Sequence, residues 1–195
     1  MFSGKTTELF RLANRFILGN ERVIMFKYAK DTRYVKRKAL ASSHDEHTFR
    51  AVPIASFEKN HEAILMGESA DVICIDEGQF IDALVPFVCA MADQGKQVYV
   101  SGLYSTFERK PFERIANLMA HVDQPVIYLS AICVLCHKEA YFTRRLGDNK
   151  ELELIGGEET YVPCCRACWN KPVEDEVLER RKKNVTRMKE MKRSI

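Results

Sequence analysis

Cys133 and Cys136, and again Cys165 and Cys168, form two Cys-x-x-Cys pairs. Each pair can offer two thiolates from one tight turn, and two pairs make the tetrahedral sulfur cage that Zn2+ prefers, with bonds of about 2.3 Å. Near the other end of the chain, Ser3-Gly4-Lys5-Thr6 matches the second half of Gly-x-x-x-x-Gly-Lys-Ser/Thr. In that pattern backbone N–H groups wrap phosphates, the lysine reaches the β/γ oxygens, the hydroxyl ligates Mg2+, and the following helix points its positive end at the anion. The pattern's first glycine and the strand that normally precedes it do not stand in the sequence, so alone the match weighs no more than an ordinary helix start. Val72-Ile73-Cys74-Ile75-Asp76-Glu77 adds an apolar strand ending in two carboxylates. An acid at such a strand end holds Mg2+ in phosphate-loop enzymes, and a second acid beside it can take a proton from an attacking nucleophile. With Gly-Lys-Thr upstream, the functional reading of Asp76 and Glu77 outweighs a solvated turn.

Asp31-Thr32-Arg33 follows the first apolar strand, on the side where ligands bind in open α/β sheets, and an arginine there could neutralise charge on a transferring phosphoryl group. Without context a surface turn is the better reading. A lone Cys-x-x-Cys could be redox-active, but two pairs with 28 residues between them fit structural zinc better. That spacing exceeds the usual ribbon, so the pinned insert is a candidate substrate lid. His137 adjoins the first pair, but four cysteines already fill the shell. Phe107 and Tyr161 lie in polar, turn-rich contexts and are candidates for holding a flat ligand, although core packing is the default for an aromatic.

These groups need a scaffold. Amphipathic spacing predicts a helix over 5–17, and further helices over 58–66, 84–93 and 112–119. Apolar runs predict buried strands over 23–26, 72–75, 97–103 and 126–132, with 31–47 as a loop. Strands alternating with helices imply an α/β fold with a mostly parallel sheet covered on both faces. The expected organisation is a phosphate-loop nucleotide-binding domain over 1–132, lacking its first strand and the start of its loop. A zinc-ribbon-like lobe with a lasso loop follows over 133–170, and then a charged tail over 171–195, read as frayed helix or disorder.

The chain has 195 residues, 46% hydrophobic and 29% charged, with a formal charge of +3. That composition is an ordinary globular one, and the charge is too small to argue for nucleic-acid binding by itself. With no apolar run long enough to span a bilayer, no signal peptide and an odd cysteine count, the expected location is cytoplasmic, with four of seven cysteines on metal. Cys74 and Cys89 are expected in the core, and Cys164 has the wrong spacing for a ligand.

Taken together, the residues closely resemble the cytosolic (type II) thymidine kinases. The resemblance is carried by Met-Phe-Ser-Gly-Lys-Thr-Thr-Glu-Leu at 1–9, Lys-Tyr-Ala-Lys-Asp-Thr-Arg-Tyr at 27–34 and Ile-Asp-Glu-Gly-Gln-Phe at 75–80. Thr-Phe-Glu-Arg-Lys-Pro-Phe at 106–112, Lys-Glu-Leu-Glu-Leu-Ile-Gly-Gly at 150–157 and the cysteine pairs extend it to about residue 170. The resemblance implies ATP-dependent phosphorylation of the thymidine 5′-hydroxyl, with Glu77 as general base and Arg33 as a catalytic cation. It implies ATP and phosphate contacts from Met1, Phe2, Ser3, Gly4, Lys5, Thr6, Asp31, Thr32, Arg33, Asp76, Glu77, Gly78 and Gln79, with Mg2+ at Thr6 and Asp76. Substrate contacts implied are Met1, Phe80, Phe107 stacking on the base, Phe112, Tyr161 and the lasso residues Leu152, Glu153, Leu154, Ile155 and Gly156. It also implies structural zinc, a homotetramer and feedback inhibition by thymidine triphosphate (dTTP), with no membrane or nucleic-acid partner.

Two departures stand out. Tyr104-Ser105 occupies a place where the family usually has Asp-Gly, and Lys36-Arg37-Lys38 looks like a local insertion without an assignable role. The incomplete phosphate loop is read as a truncated start. Two alternatives therefore stay open: a zinc-ribbon phosphate-loop ATPase acting with nucleic acid, and a fold kept as a binding module or catalytically impaired kinase.

Overall fold

Two near-continuous apolar runs, Val23–Tyr28 (β1) and Val72–Asp76 (β5), build the centre of the molecule. Such runs suit parallel strands covered on both faces. In the computed structural model, which describes residues 1–31, 40–42, 48–147, 151 and 160–193, they pair in parallel from Val23 opposite Val72 to Lys27 opposite Asp76. Val52–Ile54 (β4) joins the free side of β1, and Gln97–Val100 (β6) joins β5, giving a four-stranded parallel sheet in the order β4-β1-β5-β6. The α/β class expected from the sequence is the class observed. Leu40–Ser42 (β2), inside the stretch read as loop, pairs antiparallel with Thr48–Arg50 (β3) just after it.

Strand alternation divides the core. Met25, Val72 and Cys74 point to one face, where Lys5–Leu18 (α1) covers them with Leu9, Phe10 and Ala13. Phe26, Tyr28, Ile73 and Ile75 point to the other, beneath His61–Ser69 (α2), Leu84–Asp93 (α3) and Glu113–Met119 (α4). On that face Phe57 and Phe87 stack at 3.8 Å between centroids, and Phe26 meets both rings edge-on at 5.3 and 5.9 Å. Edge-on pairs of this kind add about 0.5–1.5 kcal/mol each beyond area burial. The side chain of Asn60 caps α2 by accepting from the Ala63 N–H at 3.1 Å.

The sheet entrance carries a test of its electrostatics. The guanidinium of Arg22 donates to Asp71 at 2.8 and 2.6 Å, and the Arg22 backbone N–H adds a bond at 3.0 Å. These bonds, the guanidinium's first, hold the Asp71 carboxyl well below the usual carboxylate range. A depressed folded-state pKa stabilises above the unfolded value of about 4, and that stabilisation is lost as pH falls toward the folded value. Asp71→Asn should therefore be slightly less stable than wild type at pH 7 in urea titrations, and the gap should close as pH drops below about 4. A gap of constant size down to pH 3 would show that the pair contributes nothing.

The chain divides into two compact units, one of Gly4–Thr106 with Lys110–Tyr128, the other of Met1–Ser3, Phe107–Arg109 and Leu129–Ile195. The sheet belongs to the first. The second holds two antiparallel pairs: Ala131–Ile132 (β7) with Glu139–Ala140 (β8), and Phe142–Arg145 (β9) with Tyr161–Cys164 (β10). Asp175–Arg193 (α5) turns the charged tail into a continuous helix, where the sequence suggested fraying or disorder. Arg181 on α5 donates to the Tyr161 carbonyl at 3.2 Å and lies 4.4 Å from the Phe2 ring centroid.

One expected strand is corrected. Of 126–132, only Ala131–Ile132 is strand, and it pairs with β8 instead of extending the parallel sheet. Val126, Ile127, Tyr128 and Leu129 are exposed. Likewise β6 ends at Val100, short of the expected 103.

Candidate active site and metal centre

The start of α1 is shaped by one glycine. Gly4 has φ +76°, which L side chains rarely adopt, although a Cβ there would meet no atom within 4 Å. The need is for left-handed backbone, not for space. No N-cap side chain bonds the first-turn N–H groups, which carry the positive end of the helix dipole. The parallel pairing brings the end of β5 beside this turn. Thr6 Oγ1 donates to Asp76 Oδ2 at 3.0 Å, while Ser101 Oγ and the Glu77 N–H donate to Oδ1, the latter at 3.1 Å.

Asp76 and Glu77 are adjacent acids, both buried. Burial first, then the charge of Glu77, push the Asp76 carboxyl above its ordinary range, while Ser101, Thr6 and Lys5 pull the other way. A pair of acids in low dielectric is costly unless a cation joins it. Lys27, opposite Asp76 in the ladder, is one partial answer: it is only 5% exposed, its ammonium donates to the Asp31 carbonyl at 3.3 Å, and desolvation lowers its pKa against the pull of Asp31 and Asp76.

Glu77 sits at φ 55°, ψ 40°, a left-handed conformation that a non-glycine residue holds only when its surroundings impose it. Gln79 supplies much of that constraint. Its amide nitrogen donates to Glu77 Oε2 at 2.5 Å, its amide oxygen accepts from the Leu103 N–H at 3.0 Å, and the side chain is fully buried. Between them Gly78 passes so close to β6 that a Cβ would lie 2.7 Å from Val100 Cγ1. The family resemblance implied a phosphate-site place for Gln79; here its side chain bonds the neighbouring acid.

Of the remaining expected residues, Phe80 and Phe112 meet edge-on at 5.6 Å, with Tyr28 5.3 Å from Phe80. Within the second unit, Met1 N donates to Thr143 Oγ1 at 2.6 Å, and Phe107 lies 3.8 Å from the Arg145 guanidinium, which also bonds the Tyr161 hydroxyl at 2.6 Å. Thr32, Arg33, Lys36-Arg37-Lys38 and Leu152, Glu153, Leu154, Ile155 and Gly156 lie outside the described residues. Lys27, Ser101, Thr143 and Arg145 were not singled out from the sequence. Lys27 left a trace there, as a charge inside an apolar strand; the others left none.

The four paired cysteines converge. Their Sγ atoms all lie within 4.8 Å of one another, with Cys136 and Cys165 at 3.6 Å. A tetrahedron with bonds of about 2.3 Å has edges of about 3.8 Å, so the set fits zinc. The β7–β8 turn, closed by His137 N–H to the Cys133 carbonyl at 3.0 Å, presents one pair; the 3-10 turn Arg166–Cys168 after β10 presents the other. Burial would raise Cys133, but N–H groups of Cys165, Cys136 and Leu135 outweigh it and bring the thiol down to about 6. Cys168 is pushed up to about 12, by burial first and then by its bonds to Cys136 and Cys165 and the charge on Cys133. Cys164, on β10, is buried outside this cage and pushed up to about 11, chiefly by burial. Cys74 is a fully buried core residue, while Cys89 is only half-buried.

A hydroxyl and a buried acid pair delivered by a parallel sheet to the opening turn of a helix define the working end of a phosphate-loop α/β protein, the class that handles nucleoside triphosphates. Relatives narrow the class. Residues 1–169 match the family described as Thymidine kinase. The chain is 42% identical over 185 residues to the cytosolic thymidine kinase of Gallus gallus, covering 95% of this chain and 80% of that one. It is 43% identical over 171 residues to the cytosolic thymidine kinase of Homo sapiens (88% and 70% covered), and 40% over 172 residues to thymidine kinase 1 of Dictyostelium discoideum (87% and 74%). The chain belongs to the thymidine kinase family. Among the described residues, no helix is long and apolar enough to cross a membrane.

Proposed function

We propose that this protein transfers the γ-phosphoryl group of ATP to the 5′-hydroxyl of thymidine, giving thymidine monophosphate and ADP. The observation that carries the reading is the meeting of Thr6 with Asp76 beside a glutamate held in left-handed backbone by Gln79. Family membership turns that phosphate chemistry toward a nucleoside.

In this reaction the 5′-oxygen forms a bond to the γ-phosphorus, the bond from that phosphorus to the β–γ bridging oxygen breaks, and ADP leaves. Glu77 accepts the hydroxyl proton. Because the transition state is loose, the proton moves late and Glu77 needs no extreme basicity. Gln79 keeps the receiving oxygen aimed. The start of α1 and Lys5 bind the phosphates, and Asp31 and Arg33 belong to the same phosphate side. Thr6 and Asp76 would hold Mg2+, whose contribution when bound is to neutralise charge on the β- and γ-oxygens. Phe107, Tyr161, Met1, Phe80 and Phe112 are assigned to the nucleoside, with backbone groups of 152–156 reading the pyrimidine edge. A homotetramer and feedback inhibition by dTTP complete the proposal.

The test is ADP release by the purified chain with ATP and Mg2+. Release that depends on thymidine, with thymidine monophosphate formed in equal amount, supports the kinase. Release stimulated by DNA or RNA and indifferent to thymidine would replace it with a nucleic-acid ATPase, a reading that the family assignment does not favour.

A further inference from the structure

Arg145, the last residue of β9, is a cation with 7% of its surface exposed. Burying a guanidinium costs several kcal/mol unless its surroundings compensate. Here two aromatic rings and two acceptors do so in part, while Nε makes no hydrogen bond among the described residues. The guanidinium carbon lies over the Phe107 ring, 3.8 Å from its centroid, and 5.2 Å from that of Tyr161. Its Nη2 donates to the Tyr161 hydroxyl at 2.6 Å, and its Nη1 donates to the carbonyl of Glu151. Arg145 and Tyr161 are also directly paired across the β9–β10 ladder. One planar side chain thus fixes the position of one aromatic ring by contact and the orientation of another by a hydrogen bond.

We propose that Arg145 is a positioning residue for nucleoside binding: it presets Phe107 and Tyr161 as an aromatic surface for a pyrimidine. The inference rests on the assignment of those two rings to the nucleoside. Three physical points support it. Cation–π attraction is strongest where the cation is desolvated, as it is here. A guanidinium is rigid and planar, so one placement of it sets its contact with Phe107 and its bonds to Tyr161 and Glu151 together. A phenol gripped at its oxygen and held in a strand cannot turn away, which removes the ordering cost from the binding step.

Kinetics of the full chain test this. Arg145→Met should raise the thymidine KM by about 10–100-fold, with the ATP KM, kcat and zinc content near wild type. Arg145→Lys keeps the charge but not the planar fork and should recover little of the loss. Tyr161→Phe removes only the gripped hydroxyl and should raise the thymidine KM by several-fold. Combined with Arg145→Met, it should add less than its own effect, because both act through one bond. The inference is overturned if Arg145→Met leaves the thymidine KM within about twofold, if kcat falls instead, or if the two substitutions act additively. Should Arg145→Met lose its zinc and fail to fold, Tyr161→Phe and Arg145→Lys decide, and normal thymidine KM values in both overturn it. A wild-type chain inert toward thymidine overturns the functional reading and this inference with it. An active wild type with unaffected variants overturns this inference alone.

Discussion

Glu77→Gln should lower kcat for thymidine phosphorylation by about 10²–10⁴-fold while leaving both KM values and the melting temperature close to wild type. The size is what a positioned proton acceptor contributes. The selectivity follows from geometry. Glutamine has the shape of glutamate, and its carbonyl oxygen can accept the Gln79 amide bond that Glu77 Oε2 accepts now at 2.5 Å. The left-handed backbone at 77 is as demanding for one side chain as for the other. Asp76 would lose a like-charged neighbour, so the local fold gains if anything. What disappears is the ability to take a proton. Steady-state kinetics with both substrates separate the outcomes. A variant that retains more than a tenth of wild-type kcat, or that loses only thymidine affinity, would show that Glu77 is not the base.

Removing the metal should have the other large effect. Zinc sites of four thiolates contribute about 10–16 kcal/mol of apparent binding energy at neutral pH, and in small lobes that energy is folding energy. Around the cysteines the buried apolar cluster is Cys133, Ala140 and Cys168, with Leu135, Cys136 and Cys165 packed against it, so the cage is itself most of that cluster. Two short antiparallel pairs without a metal are too small to hold themselves together. The native protein should carry one zinc per chain, and cobalt exchange should give the absorption of a tetrahedral thiolate site. A strong chelator, or Cys136→Ser, should remove amide-exchange protection across 131–147 and 160–168 and abolish thymidine turnover. A chain that stays protected and active without metal would refute the structural role.

Much of the site was readable because its parts are local in sequence. An apolar run ending in Asp-Glu states both a strand and its terminal acids, and Gly-Lys-Thr states both a turn and a helix start. Their meeting follows from parallel pairing, which helix–strand alternation implies. What escaped reading depends on partners. Val126–Leu129 has strand composition, but composition measures only fitness for a pleated surface; it becomes strand when a neighbour supplies the ladder. Val52–Ile54 failed in the opposite direction. It is three residues long with Pro53 at its centre, a poor strand by rule, yet at the sheet edge a residue without an N–H is tolerated. Arg145 escaped because a buried arginine is legible only once the rings around it are in place. The Gln79–Glu77 bond left no trace in the sequence, because an amide next to two acids says nothing about which way it faces.

The backbone at residue 77 has a consequence for how variants of this protein are judged. Left-handed geometry suits glycine best, and relaxing it would release strain of about 1–3 kcal/mol while removing the crowded acid beside Asp76. Architecture and chemistry therefore pull in opposite directions at one position. A screen that ranks sequences by heat resistance alone would be drawn to a residue with no side chain there, and would reward the molecule for giving up its turnover.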